Sequence, residues 1–172
     1  TPRFALTSSE AQLAAAGRLA GEYPDVWVHT HLAENMDEVE EIARLFPDSR
    51  SYLDVYDCFG LVRERAVFAH CLHMDEQDRS RMAASNAAAA FCPTSNLFLG
   101  SGLFNLPAMR KARINCGLGT DVGGGTSLSM LRTASEAYKV LHLQEHALPA
   151  MRALYLATLG AAETLDLDDK IG

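Results

Sequence analysis

Apolar and polar positions along the chain switch repeatedly between a helical and a strand period, and the switching predicts a series of strand–helix units. In "SSEAQLAAAGRLAGEY", Leu13, Ala16, Leu19 and Ala20 recur at helical spacing behind Ser9 and Gln12, a candidate capping box. The run "DVWVHTHL" that follows reads as a strand. "NMDEVEEIARLF" returns to helical spacing at Met36, Val39, Ile42, Ala43 and Phe46, with acids on the opposite face and Pro47 as the stop. "PDSRSYLDVYDCFGLVRE" is polar and irregular, a loop with a short helical turn. The pattern then recurs as strand "RAVFAHC", helix near "MDEQDRSRMAAS", strand "AAAAFCPTSN", helix near "NLPAMRKA", strand "INCGLGTD" and helix "SLSMLRTASEAYKVLHLQ". Repeated βα units imply parallel strands joined by right-handed crossovers.

Each predicted strand ends in polar groups: His31 and Glu34 after the first, His70 after the second, Ser95 and Asn96 after the third, Asp121 after the fourth. In a (β/α)8 barrel, functional side chains collect at the C-terminal ends of the strands and converge on one mouth. The expected fold class is therefore α/β, a partial (β/α)8 TIM-like barrel with parallel strands and outer helices. The evident units supply about half of it. The opening "TPRFALTSSE", without Met, and the close "LDLDDKIG", where another element should follow, read as a piece of a longer chain.

Composition narrows the classes. The 172 residues, 48% hydrophobic, suffice for one packed domain. A net charge of −7 without a basic stripe argues against nucleic acid as a partner. No apolar run reaches the roughly 18 residues of a membrane span, and no leader pattern opens the chain, which implies a soluble protein without membrane contact. Cys58, Cys71, Cys92 and Cys116 show no CxxC spacing, and three lie in apolar runs, so they read as reduced thiols of a cytoplasmic protein.

Taken singly, the polar strand ends have ordinary explanations. A lone His after a strand is commonly structural, Glu34 suits a helix N-terminus, and Asp121 suits a cap or turn. Jointly they point to chemistry, because four consecutive strands would otherwise carry such groups at the same end by accident. Imidazole and carboxylate suit zinc, which as a catalyst keeps an open position for an acidified water. His31 and Asp121 are the candidate metal ligands. Glu34, three residues past His31, is placed to shuttle protons, and His70 to steady a developing charge. Two protein ligands are too few for catalytic zinc, so further ligands are expected upstream. "GLGTDV" lacks the third glycine of a dinucleotide fingerprint. "FCPTS" lacks the Pro-Cys-x-x-Cys of the cytidine-type deaminases. His73 is a weaker candidate for the mouth, and His142 and His146 read as solvent-facing. "GGG" (Gly123 to Gly125) reads as backbone freedom beside the metal strand. Ser95 and Asn96 read as ordering the site, without an assigned step.

"HTHLAEN", "AHC", "CPTSNLFLGSG" and "GLGTDVGGGTS" resemble the metal-dependent amidohydrolase superfamily, in its aminohydrolase branch of deaminases and chlorohydrolases. With the opening "TPRFA", their order and spacing resemble the guanine deaminases within that branch. The resemblance implies that residues 1–172 are the C-terminal part of a catalytic barrel. It implies one zinc per chain, held by His31, Asp121 and an upstream His-x-His pair to which His29 does not belong. It carries over Glu34 as general acid/base, His70 and Asp121 as catalytic partners, and Arg3 as the group that holds a purine carbonyl, with Phe4 packing on the ring. Zinc-dependent deamination of guanine to xanthine and ammonia follows, in a homodimer. An adenosyl-homocysteine deaminase or a triazine hydrolase would use the same metal set. The 172 residues by themselves, lacking half the ligands, are expected to be an inactive structural part.

Overall fold

Four short strands form one parallel sheet in chain order, β1 (Val28–Leu32), β2 (Ala66–His70), β3 (Ala88–Phe91) and β4 (Cys116–Leu118), in a computed structural model that describes residues 1–171. Gly172 lies outside the described residues. Sequential order is what a barrel wall requires, whereas a doubly wound sheet reverses order at a switch point. The register pairs His31 with Ala69, Ala69 with Ala90, and Ala90 with Gly117. Side chains alternate across a strand, so these small residues share one face with His31. The opposite face carries Leu32, Phe68, Phe91 and Leu118, all buried beneath the helices.

Nine α-helices flank the sheet among the described residues: α1 (Glu10–Glu22), α2 (Met36–Leu45), α3 (Tyr52–Cys58), α4 (Glu76–Ala84), α5 (Pro93–Leu99), α6 (Leu106–Lys111), α7 (Met130–Leu143), α8 (Ala150–Ala157) and α9 (Leu159–Glu163). Side-chain caps explain where several begin. Ser9 and Gln12 form the capping box of α1, and Asn35, Ser51, Asp75 and Ser129 each accept a backbone N–H at the start of α2, α3, α4 and α7. Such a cap contributes about 0.5–2 kcal/mol. Phe91 and Phe104 stack with centroids 4.4 Å apart and tie β3 to the loop before α6.

The structure corrects four expectations. The segment expected to be a loop with a short helical turn holds a longer, buried helix, α3, seven residues with Tyr52, Leu53, Val55 and Tyr56 buried. The third strand stops at Phe91, and Pro93 opens α5, so Ser95 and Asn96 lie on a helix instead of a strand end. Proline at the first helical position needs no N–H there and has its φ already set. Leu19 and Met36, expected on buried faces, are 55% and 48% exposed. Glu38, expected on the solvent face of α2, is buried.

Candidate active site

The C-terminal end of the sheet is built from backbone in an unusual conformation. Ala33, His70, Cys71 and Asp121 have φ of 48°, 72°, 53° and 45°, the left-handed region that side chains disfavour. Each such residue costs on the order of 1–3 kcal/mol, and such strain clusters at functional sites. The turn at His70 and Cys71 stays bonded to the end of β1 and the residue after it, where Cys71 N–H donates to Leu32 O and the N–H groups of Leu72 and His73 donate to Ala33 O. Near Asp121, a Cβ on Gly125 would lie 2.0 Å from Thr120 O and 2.9 Å from Asp121 O, so only glycine permits this close turn.

His31 is oriented by Arg3. The Arg3 carbonyl accepts from His31 N, from Thr30 Oγ1 (3.0 Å) and from His31 Nδ1 (2.6 Å). A carbonyl only accepts, so Nδ1 carries a proton and Nε2 keeps its lone pair. Metal-ligating histidines are held in this way, by a carbonyl or carboxylate on the other ring nitrogen. The Phe4 ring lies 5.7 Å from the His31 ring, and the Arg3 guanidinium sits over Phe4 at 5.3 Å. Arg3, Phe4, His31, Glu34 and Glu38 line an open cleft of about 350 Å³. His29 shares the strand face of His31 and is exposed.

Glu34, His70 and Asp121 converge. His70 Nε2 lies 3.7 Å from Glu34 Oε2 and 4.0 Å from Asp121 Oδ2, and it has no hydrogen-bond partner among the described residues. Asn96 Nδ2 donates to His70 Nδ1 at 2.9 Å, which places the proton of the neutral ring on Nε2. Burial pushes the His70 pKa down to about 4; the Asp121 charge opposes this and the neighbouring His31 adds to it. The ring is therefore neutral near pH 7, with a buried N–H aimed between two carboxylates. Glu34 is shifted upward, chiefly by burial. The Ser101 hydroxyl, donating to Oε1 at 3.2 Å, works against that shift, and the charges of Glu38 and Asp121 add to it. A raised carboxyl pKa suits a group that must both take and give a proton.

His70, Cys92 and Asp121 bring three metal-capable atoms within 4.8 Å of one another, a grouping that does not include His31. Its chemistry fits a metal poorly. His70 Nε2 holds a proton, and burial, then the Asp121 charge, lifts the Cys92 thiol to about 12. Zinc binds thiolate and unprotonated imidazole nitrogen. Asp121 and the free lone pair of His31 fit better.

The amidohydrolase family profile matches residues 1–172. The chain belongs to the amidohydrolase family. This amidohydrolase chain is 55% identical over 172 residues to a guanine deaminase of Escherichia coli (strain K12), with 100% of the chain matching 39% of that relative. A solved structure of E. coli guanine deaminase matches with a TM-score of 0.98, over 100% of this chain and 40% of that one. A guanine deaminase from C. acetobutylicum, solved with guanine bound in its active site, is 31% identical with a TM-score of 0.92 over 100% and 42% of the two chains. An adenosine deaminase from Xanthomonas campestris, solved with bound zinc, is 29% identical with a TM-score of 0.87 over 96% and 38%. The chain thus spans about two fifths of the length of the curated relatives it matches. Its sheet and outer helices are a partial barrel of the metal-dependent hydrolase type. No helix among the described residues is long and apolar enough to cross a membrane.

Several further residues at this mouth have no role that the sequence pattern alone predicts. Ser101 reaches Glu34 from the loop after α5, and His73 Nε2 bonds the Ser101 carbonyl at 3.0 Å, supporting that loop. Asn96, misplaced on a strand, reaches His70 from the first turn of α5. Tyr56 bonds His31 O from α3. The signals were Pro93 for α5, and for α3 Ser51 ahead of a "YLDVY" run. His142 and His146 are exposed and far from this chemistry in the chain.

Proposed function

We propose that this chain supplies the acid–base machinery and part of the metal site of a zinc-dependent guanine deaminase, which converts guanine and water to xanthine and ammonia. The observation that carries the chemistry is the buried, unpartnered His70 Nε2 facing Glu34 and Asp121. The substrate is supported by the relatives named guanine deaminase, 55% identical in one case, and by Arg3 and Phe4 at the cleft beside His31. Residues 1–172 are read as the C-terminal part of the catalytic barrel.

One zinc ion, held by His31 Nε2 and Asp121 with an upstream His-x-His pair, would supply an acidified water beside the substrate. Glu34 takes a proton from the attacking water, with Asp121 as a second acceptor, and delivers it to the ring nitrogen adjacent to C2. His70 Nε2–H donates to the oxygen that gains negative charge as it bonds to C2, in a site where burial strengthens the interaction. The hydroxyl now on C2 then gives its remaining proton, by way of Glu34 or Asp121, to the exocyclic amine; the C2–N bond breaks, ammonia leaves and a carbonyl remains at C2. The Arg3 guanidinium donates to the purine carbonyl, and Phe4 packs on the ring. An amino group at that edge would face donors only, since arginine accepts no hydrogen bond, so adenine is disfavoured. The four free cysteines support a cytoplasmic location. Association into a homodimer rests on the family resemblance alone.

The test uses the full-length parent protein, assayed for zinc content and for ammonia release from guanine and adenine, with Glu34→Gln beside it. Zinc at about one per chain, turnover of guanine but not adenine, and a variant that keeps zinc and loses turnover are expected. Bound zinc without guanine turnover would sink the substrate assignment. A Glu34→Gln enzyme with full activity would sink the proton shuttle.

A further inference from the structure

We infer that Glu38 and Tyr52 are positioning residues for Glu34: the buried Glu38 carboxylate, anchored by the Tyr52 hydroxyl, grips the Glu34 backbone and so aims its side chain at His70 and Asp121. This inference rests on the reading of Glu34 as the proton shuttle. Glu34 follows left-handed Ala33 and precedes α2, so its N–H lies between strand ladder and helix ladder. Glu38 Oε2 accepts that N–H at 3.0 Å, and Glu38 Oε1 accepts from Tyr52 Oη at 2.7 Å.

Helix capping does not explain the acid. Asn35 already caps α2 by accepting from Glu38 N at 2.9 Å, and a glutamate completing a capping box would reach back to the N-cap residue's own N–H. Glu38 reaches one residue further, to the shuttle. Core stability does not explain it either. Glu38 is 7% exposed, and a buried carboxylate is costly to desolvate where an apolar side chain of similar size would pack without that cost.

The anchor extends to the other functional segments. Tyr52 stacks on Tyr56 at 5.5 Å. Tyr56 Oη donates to His31 O at 2.8 Å and accepts from Ala5 N at 2.9 Å. One buried cluster from α2 and α3 therefore fixes the backbone at the shuttle, at the proposed metal histidine, and one residue after Phe4. A displacement of the reacting group by about 1 Å can cost on the order of 100-fold in rate.

In the full-length parent protein, Glu38→Ala is expected to lower kcat for guanine by about 10- to 100-fold with KM within about twofold, the size of effect seen when groups supporting a reactive shell are lost. Glu38→Gln is expected to recover most of that loss, because the amide oxygen still accepts from Glu34 N while its NH2 donates to a Tyr52 hydroxyl that turns round. Tyr52→Phe keeps the ring stack and falls between, and it serves in place of Glu38→Ala where that variant does not fold. Hydrogen exchange of the Glu34 amide is read alongside, slow in wild type and Glu38→Gln and faster in Glu38→Ala and Tyr52→Phe. An unchanged kcat in Glu38→Ala, a KM rise in place of the kcat loss, or a Glu38→Gln enzyme no better than Glu38→Ala overturns the inference. If wild-type enzyme leaves guanine untouched, the guanine reading falls. Amide exchange then decides separately, and equal rates in wild type and Glu38→Ala overturn the positioning role.

Discussion

Replacing Ser101 by alanine removes one interaction from Glu34 and little else. Ser101 is buried, and its loop is pinned independently of the hydroxyl, with Ser101 N–H donating to Asn96 O at 2.9 Å and Ser101 O held by His73 Nε2. The lost bond, Oγ to Glu34 Oε1, is 3.2 Å long. Hydrogen bonds to charged groups contribute about 1.5–3 kcal/mol, but a strong O–H to carboxylate bond spans only about 2.5–2.7 Å, and the cleft lets water reach Glu34. A loss of about 1 kcal/mol follows, or roughly fivefold in kcat at tenfold per 1.36 kcal/mol. The pH dependence gives the sharper readout. The Ser101 bond favours the carboxylate and opposes the upward shift that burial imposes, so Ser101→Ala raises the Glu34 pKa further. The shuttle must begin as carboxylate, so the acid limb of the kcat profile moves to higher pH. Steady-state ammonia release from guanine across the acid and neutral range measures both effects in the full-length enzyme. An acid limb that stays in place, or moves to lower pH, would refute the assignment of Glu34 as the proton acceptor held by Ser101.

Three further outcomes are expected. Asn96→Ala frees His70 Nδ1, so 15N NMR should show both ring tautomers where wild type shows the Nε2-protonated form, and kcat should fall by about 10-fold, in the range for loss of a supporting hydrogen bond at a reactive site. Gly125→Ala forces a methyl against Thr120 O and shifts the turn that carries Asp121, so zinc affinity by competitive chelation should drop by about 10- to 100-fold. The metal-free protein should lose stability in acid through His70. Its folded pKa, about 4, lies below the unfolded 6.5, so between these values the unfolded chain binds the extra proton. The stabilisation is complete above pH 6.5 and is lost as pH falls toward 4, by ~3 kcal/mol at most. Denaturant melts of wild type and His70→Asn over that window should converge at low pH, and parallel curves would count against it.

What was legible in the sequence was local. Ser9 and Gln12 meet in the capping box their spacing announces, and "VHTHL" and "AVFAH" pair as parallel neighbours because each alternates or fills an apolar run of strand length. The parts misread depend on partners distant in the chain. Tyr52 and Tyr56 look like polar interruptions in "SYLDVYDC", but their hydroxyls are satisfied by Glu38 and by the backbone of His31, 14 and 25 residues away. Glu38 fits the acidic stripe of an amphipathic helix and is buried for the same reason seen from the other side. "AAAAFC" runs straight into Asn96 and suggests a strand that includes it, but the strand ends where Pro93 removes a ladder donor.

The same distinction explains why the strand ends and the site coincide. A strand that stayed extended through His70 would turn the imidazole to the outer face, with Leu32 and Phe68. The left-handed backbone at His70 and Cys71 instead keeps the chain bonded to Leu32 and Ala33 and sets the ring beside His31, 5.2 Å away and nearly parallel. Asp121 is brought to the same point by another left-handed residue, which only the missing side chain of Gly125 allows to close. Neither conformation is favoured by local propensity, so packing elsewhere must hold both. The large residues on the outer face, Phe68 and Phe91 among them, contribute about 1.5–3 kcal/mol each on burial and are fully enclosed. The small residues on the inner face leave room for the ionisable groups at its end. The division of the sheet into a heavy outer face and a light inner one is therefore what lets four short strands tolerate strain at their functional ends.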